Sequence, residues 1–313
     1  MATILISHGL PTAGLEMLEG HEILIPAPLT AFTRAEMLSL LPRADAVIAA
    51  GLLDGEMIRA GSRLKLIANY GAGYDRVDVR TAADCGVMVT NIPEQVADAT
   101  AELTIGLMLA ASRRIGEMNL RLRRETPESL FGIGRNMGCS LRGRTLGILG
   151  MGRIGGRVAA MARALGMEVI AHNRHGADPA LARNVSLTEL QAYADVLTIH
   201  CPLTVETRGL VDEGFLRGMK PGAILVNASR GGIVDYDALA DALEQGRIFA
   251  AGLDVYPDEP HIPQRLLDQP RCVLTPHIGS NAADTREAMM RAICGQILDV
   301  LAGRRPVNIV NGL

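Results

Sequence analysis

Residues 145–158 read TLGILGMGRIGGRV. An apolar run ends at Gly150, and Gly150, Gly152 and Gly155 then stand as G-x-G-x-x-G ahead of a helix-forming stretch. A strand, a glycine-rich turn and a helix in that order form the phosphate-binding opening of a dinucleotide fold. The first glycine permits the tight turn, the second lets the backbone approach a pyrophosphate, and the third lets helix and strand pack closely. The helix begins with unpaired N–H groups and the positive end of its dipole, both of which favour an anion. Met151, Arg153 and Ile154 fill the intervening positions and are assigned to the same site.

The next apolar run, MEVIAH from residue 167, ends about twenty residues further on, where an NAD site places an acidic residue against the ribose hydroxyls. Asn173 stands there, followed by Arg174. Without the carboxylate a 2′-phosphate meets no repulsion, and a guanidinium can bind it by charge-assisted hydrogen bonds. The pair predicts NADPH/NADP as the preferred cofactor, with NADH/NAD as the second choice.

Further runs VLTIH, AILVNAS, FAAGLDV and CVLTP complete six candidate strands of a doubly wound sheet. Upstream, TILIS, AVIAA, LKLIAN and VMVTN alternate with helix-length amphipathic stretches, the signature of βα units on a parallel sheet. From Ala97 the stretch ATAELTIGLMLAASRRIGEMNLRL reads as one long helix, and a second helix from about Ala282 is followed by PVNIVN. The fold class is therefore α/β: two Rossmann-like doubly wound parallel-sheet domains, with the cofactor domain inserted into the substrate domain. Residues 1–96 plus 282–313 are assigned to the substrate (catalytic) domain and 97–281 to the dinucleotide-binding domain.

A chain of 313 residues that is 48% hydrophobic is long enough for two ordinary cores. A net charge of −3 with 21% charged residues lacks the basic footprint of nucleic-acid binding. Aromatic residues make up 3% with no Trp, which disfavours a stacking platform for single strands. Cys85, Cys139, Cys201, Cys272 and Cys294 form no close pair, arguing against a disulfide framework and a structural zinc site. MATILISHGL at the start lacks a secretory pattern, and no run is long enough to span a membrane; the expectation is a cytoplasmic protein without membrane or nucleic-acid partners. The apolar surface of the helix from Ala97 predicts a twofold homodimer.

Arg230 in VNASRGGIVD, Glu259 in GLDVYPDEP and His277 in LTPHIGS follow successive candidate strands, and strand carboxyl ends border the ligand crevice of an open α/β sheet. Reducing a 2-keto acid requires a proton donor at the carbonyl oxygen and a cation for the carboxylate and the polarised carbonyl. His277 and Arg230 supply those two. A carboxylate bonded to the second ring nitrogen fixes an imidazole's orientation and favours its protonated form, the part assigned to Glu259.

GMGRIG, HCPLTVETRGLV, VNASRGGIVD, GLDVYPDEP and TPHIGS, in that order, together with NYGAGYDRVDV, NIPEQVADATAEL and PVNIVN, resemble the D-isomer-specific 2-hydroxyacid dehydrogenase family over nearly the whole chain. The resemblance implies Arg230, Glu259 and His277 as the catalytic set. It also implies that the backbone at Ala72 and Gly73, with Leu52, Arg230 and His277, receives the substrate in an interdomain cleft. Thr100, Cys201, Pro202, Thr207, Ala228, Ser229, Gly279 and Asp254 would touch the cofactor, Asp254 facing the nicotinamide carboxamide. Asn173-Arg174 and DATAEL resemble NADPH-linked glyoxylate and hydroxypyruvate reductases, which convert a small 2-keto acid to the D-2-hydroxy acid.

Three alternatives stand beside that reading. A phosphoglycerate dehydrogenase is disfavoured because the loop IAAGLL, 48–53, lacks an arginine for a phosphate and no regulatory domain is expected beyond Leu313. Hydroxyphenylpyruvate-type substrates stay open, since Leu52 and Leu53 can line an apolar pocket. A dinucleotide-sensing co-repressor could share the fold, but it would tolerate loss of His277.

Overall fold

The strands that the sequence marks as apolar runs assemble into two separate parallel sheets in a computed structural model, which describes residues 1–174 and 176–313. The chain divides into one unit of Met1–Val96 with Ser280–Leu313 and another of Ala97–Gly279.

In the first unit β1 (Thr3–Ile6), β2 (Glu22–Leu24), β3 (Ala46–Ala49), β4 (Leu66–Asn69) and β5 (Met88–Thr90) pair in the order β2-β1-β3-β4-β5. Strands β1, β3 and β4 are buried along their full length, as befits a parallel sheet covered on both faces. Met289, Met290, Ile293 and Ile297 of the helix Ala283–Leu301 join Ile4, Ile6, Ile48 and Leu66 in one core, while Met37, Leu41, Met57 and Ile58 join Leu5, Val47 and Ile67 in the other. The tail after that helix lies along β5: Val310 N–H donates to Val89 O at 2.8 Å, and the Asn311 side chain bonds Val89 N–H and Val87 O at 3.0 and 2.8 Å.

The second unit holds β6 (Thr145–Leu149), β7 (Glu168–His172), β8 (Arg183–Asn184), β9 (Val196–Ile199), β10 (Ala223–Asn227), β11 (Ile248–Leu253) and β12 (Cys272–Leu274). Their order is β12-β11-β10-β9-β6-β7-β8. The chain reverses its direction of winding between β6 and β9, the switch point at which such sheets open a crevice beyond their carboxyl ends.

Three elements depart from the sequence reading, the first being β2 (Glu22–Leu24), an edge strand outside the runs read for the first sheet. The second sheet has a seventh strand, β8, whose two exposed residues ArgAsn carry no apolar signal. The stretch from Ala97 is not one helix but part of two, Pro93–Ser112 and Ile115–Arg124. Arg114 breaks it with a left-handed φ of 55°, and its guanidinium grips the Glu117 carboxylate through two bonds of 2.7 and 2.6 Å. Neither Gly nor Pro marks this break, so helical apolar spacing runs straight through it. Among the described residues no helix is long and apolar enough to cross a membrane.

Candidate active site

The turn after β6 has the geometry its glycines require. Gly150 has a φ of 97°, and a Cβ there would lie 2.5 Å from Cys201 N; a Cβ on Gly155 would lie 2.3 Å from Gly150 O. A Cβ on Gly152 would meet nothing within 4 Å. Gly152 caps the helix Arg153–Ala164 without any side-chain bond to its first N–H groups. Helix dipole, a helix start without a side-chain cap and open space thus coincide beside Gly152, and these residues fit the pyrophosphate of a dinucleotide. Ile154 is half-buried against the core below, while Arg153 stands exposed at the helix start.

Asn173 follows β7 directly. Its Oδ1 accepts from Met151 N–H at 3.2 Å and its Nδ2 donates to Gly176 O at 2.6 Å, so this amide braces the glycine turn. Arg174 is exposed. Glu206, held below the usual carboxylate range mainly by the Thr204 hydroxyl, also feels the Arg174 charge. After β9, Thr207 Oγ1 donates to Pro202 O at 2.7 Å. Ser229 Oγ, beside the buried Ala228, donates to Cys201 O at 2.6 Å. Burial pushes the Cys201 thiol up to about 11, which keeps it protonated and unreactive.

Arg230, Glu259 and His277 follow β10, β11 and β12, three neighbouring strands. His277 Nδ1 lies 2.9 Å from Glu259 Oε2, and Glu259 Oε1 accepts from Tyr256 N–H at 3.1 Å. One carboxylate is thereby fixed by the backbone and in turn fixes the ring, leaving Nε2 as the nitrogen for another partner. Arg230 Nη1 donates to Ser229 O at 2.9 Å. His277 has a left-handed φ of 54°, a conformation that costs a non-glycine residue about 1–3 kcal/mol and persists only where the surroundings impose it.

Those surroundings are Asp254. It is 0% exposed, and its carboxylate accepts from Thr275 Oγ1 at 2.6 Å, Ile278 N–H at 2.8 Å and Gly279 N–H at 2.8 Å. Both sides of His277 are therefore tied to one buried group, whose pKa is raised by that burial. Gly279 permits the close approach: a Cβ there would lie 3.3 Å from Asp254 Oδ2 and 3.4 Å from Thr100 Oγ1. Asp254, which the resemblance assigns to the cofactor, also accepts hydrogen bonds from the loop that carries His277.

In the first unit the turn after β4 has its carbonyls tied inward. Asn69 Nδ2 donates to Gly71 O at 3.1 Å and Gly73 O at 3.0 Å, and Asn91 Nδ2 donates to Ala72 O at 2.7 Å. Among the described residues, neither the Ala72 nor the Gly73 N–H donates to a protein group. A pair of adjacent free N–H groups with all carbonyls turned away is a cradle for an anion. Asn69 and Asn91 were missed in the sequence, where only an asparagine at each end of NYGAG…VTN hints at them. Leu52 stands exposed after β3, and Leu53 N–H donates to Arg76 O at 2.9 Å.

Residues 105–279 match the model of the D-isomer specific 2-hydroxyacid dehydrogenase, NAD binding domain. A glyoxylate reductase of Thermococcus litoralis is 37% identical over 98% of this chain and 96% of its own length. A D-3-phosphoglycerate dehydrogenase of Mycobacterium leprae is 39% identical over 89% of this chain, which spans 53% of that longer relative. Among solved structures, the NADPH-dependent glyoxylate/hydroxypyruvate reductase of Sinorhizobium meliloti, in complex with NADP and malonate, has a TM-score of 0.89 at 30% identity, covering 99% of this chain and 96% of that one.

Proposed function

The chain belongs to the D-isomer specific 2-hydroxyacid dehydrogenase family, and from that premise we propose that it reduces glyoxylate or hydroxypyruvate to the D-2-hydroxy acid with NADPH. The observation that carries this reading is the His277–Glu259 pair at 2.9 Å on a loop whose geometry a buried carboxylate imposes. The turn 150–155 would hold the pyrophosphate of the reduced dinucleotide, which would supply a hydride for the carbonyl carbon. His277 gives its Nε2 proton to the carbonyl oxygen, while Glu259 holds the ring and stabilises its charged form. Arg230 pairs with the substrate carboxylate and polarises the carbonyl. In the first unit, the Ala72 and Gly73 N–H groups form a cradle suited to a carboxylate. Asp254 holds the proton donor in position rather than meeting substrate.

The glyoxylate reductase of Thermococcus litoralis and the Sinorhizobium meliloti enzyme support the substrate class. The Mycobacterium leprae relative favours a second reading, a phosphorylated three-carbon acid. Loss of absorbance at 340 nm, measured with each cofactor against glyoxylate, hydroxypyruvate, pyruvate, phenylpyruvate and 3-phosphohydroxypyruvate, separates them. The highest kcat/KM is expected with NADPH and one of the first two acids; a preference for the phosphorylated acid would replace this reading by the second. Arg174→Ala should lower kcat/KM for NADPH by about tenfold, the worth of one charge-assisted hydrogen bond, and leave NADH little changed. Equal losses with both cofactors would remove Arg174 from the 2′-phosphate.

We further propose a homodimer. Ile115, Leu120, Leu122, Phe131, Ile133 and Met137 are all exposed within one stretch, and clustered exposed apolar side chains mark an association surface. A second copy is the proposed cover, so light scattering should give the mass of two chains; the mass of one would refute it.

A further inference from the structure

The carboxyl ends of β1, β3 and β4 stand side by side in the first sheet. The N–H cradle at Ala72 and Gly73 follows β4, the loop Gly51–Leu52 follows β3, and His8 follows β1. His8 is half-buried with its ring over the α-carbon of Gly51: a Cβ on Gly51 would lie 2.7 Å from His8 Cε1 and 3.3 Å from its Nε2. Glycine at 51 is therefore what makes room for the imidazole.

A serine hydroxyl sits at one nitrogen of the ring. Ser7 Oγ accepts from Ala50 N–H at 3.0 Å and lies 2.9 Å from His8 Nδ1. With one lone pair turned to the Ala50 N–H, the Ser7 hydroxyl is placed to donate its own proton to Nδ1. A neutral imidazole that accepts at Nδ1 carries its proton at Nε2. Burial first, and the Arg76 charge second, hold the His8 pKa below its ordinary value, so the neutral form is the one present near neutrality. Nε2–H has no protein acceptor among the described residues.

We propose that His8 determines specificity at carbon 3 of the substrate, its Nε2–H donating to an oxygen there and so favouring a three-carbon 3-oxygenated 2-keto acid over glyoxylate. The inference rests on the 2-keto acid reading above and deepens it. Two strand spacings separate β4 from β1, roughly 10 Å in all. Two hydrogen bonds of about 2.8 Å each and the body of a hydroxypyruvate molecule span that distance. Glyoxylate has no third carbon and leaves the His8 donor without a partner, which costs the complex a hydrogen bond.

The test is the ratio of kcat/KM for hydroxypyruvate to that for glyoxylate, measured with NADPH in the unsubstituted enzyme, His8→Ala, His8→Gln and Ser7→Ala. His8→Ala should lower the ratio about tenfold, the equivalent of one lost hydrogen bond. His8→Gln, whose Nε2 amide keeps an N–H donor of similar reach, should restore part of it. Ser7→Ala should lower the ratio by a smaller factor, because the ring survives but its tautomer is no longer set, and this variant reports even if His8→Ala does not fold. Turnover of both acids with an unchanged ratio in all three variants overturns the inference alone. Turnover of neither acid by the unsubstituted enzyme overturns the proposed reaction and the inference with it.

Discussion

His277→Ala is expected to lower kcat by about 10²- to 10⁴-fold, the contribution of a positioned acid, while the dissociation constant of the dinucleotide stays close to that of the unsubstituted enzyme. The size follows from how fully the structure commits this side chain. Nδ1 is bound to Glu259 at 2.9 Å, so the ring has one nitrogen left to act with. The loop is held by three hydrogen bonds to Asp254. A backbone explanation is separable from an acid explanation, because His277 carries a left-handed φ. Asparagine enters that region far more readily than most residues, so His277→Asn keeps the loop conformation and removes the acid. Both variants should lose the same activity and show an unchanged thermal midpoint. If His277→Asn retains near-normal turnover, the imidazole is not the proton donor and the loop geometry alone matters.

What the sequence made legible follows a physical rule. The five inner strands of the second sheet, β6, β7, β9, β10 and β11, are buried apolar runs, since a parallel strand covered on both faces needs no polar alternation. The edge strands are different. β8 is two exposed polar residues and β2 is three half-buried ones, so each is defined by its neighbour's hydrogen bonds rather than by its own composition. The glycine turn was readable because each glycine answers a local steric demand, visible as would-be Cβ contacts of 2.5 Å at Gly150 and 2.3 Å at Gly155.

The break at Arg114, where the guanidinium pairs with Glu117, was not readable, because the apolar spacing continues through it. The same holds for the supports of the candidate site. Arg230, Glu259 and His277 were identifiable as polar residues after successive strands. Asp254 reaching residues 275, 278 and 279, or Asn91 reaching Ala72, depends on contacts across some twenty residues of sequence. Those partners are neighbours only once the strands lie side by side, and no local pattern encodes them.

Arg230→Ala should cost about 10³-fold in kcat/KM, since one guanidinium is asked both to bind the carboxylate and to stabilise charge developing on the carbonyl oxygen. Its backbone has supports besides the bond from its own side chain to Ser229 O. Asn227 Nδ2 donates to Arg230 O at 3.0 Å, and Gly231 packs so closely on Tyr256 that a Cβ would lie 2.0 Å from its carbonyl carbon. Removing the guanidinium therefore leaves the loop intact, and the loss reads as lost chemistry rather than lost fold. Arg230→Lys should recover little, because an ammonium supplies a point charge but not two parallel N–H donors in one plane. The distribution between parameters carries the mechanism. A carboxylate-binding role raises KM, and carbonyl polarisation lowers kcat; both are expected in Arg230→Ala. A variant in which KM alone rises would confine Arg230 to binding and leave His277 as the sole group acting on the carbonyl oxygen. If Arg230→Lys recovers most of the activity, positive charge is sufficient and the forked geometry is not what the reaction uses.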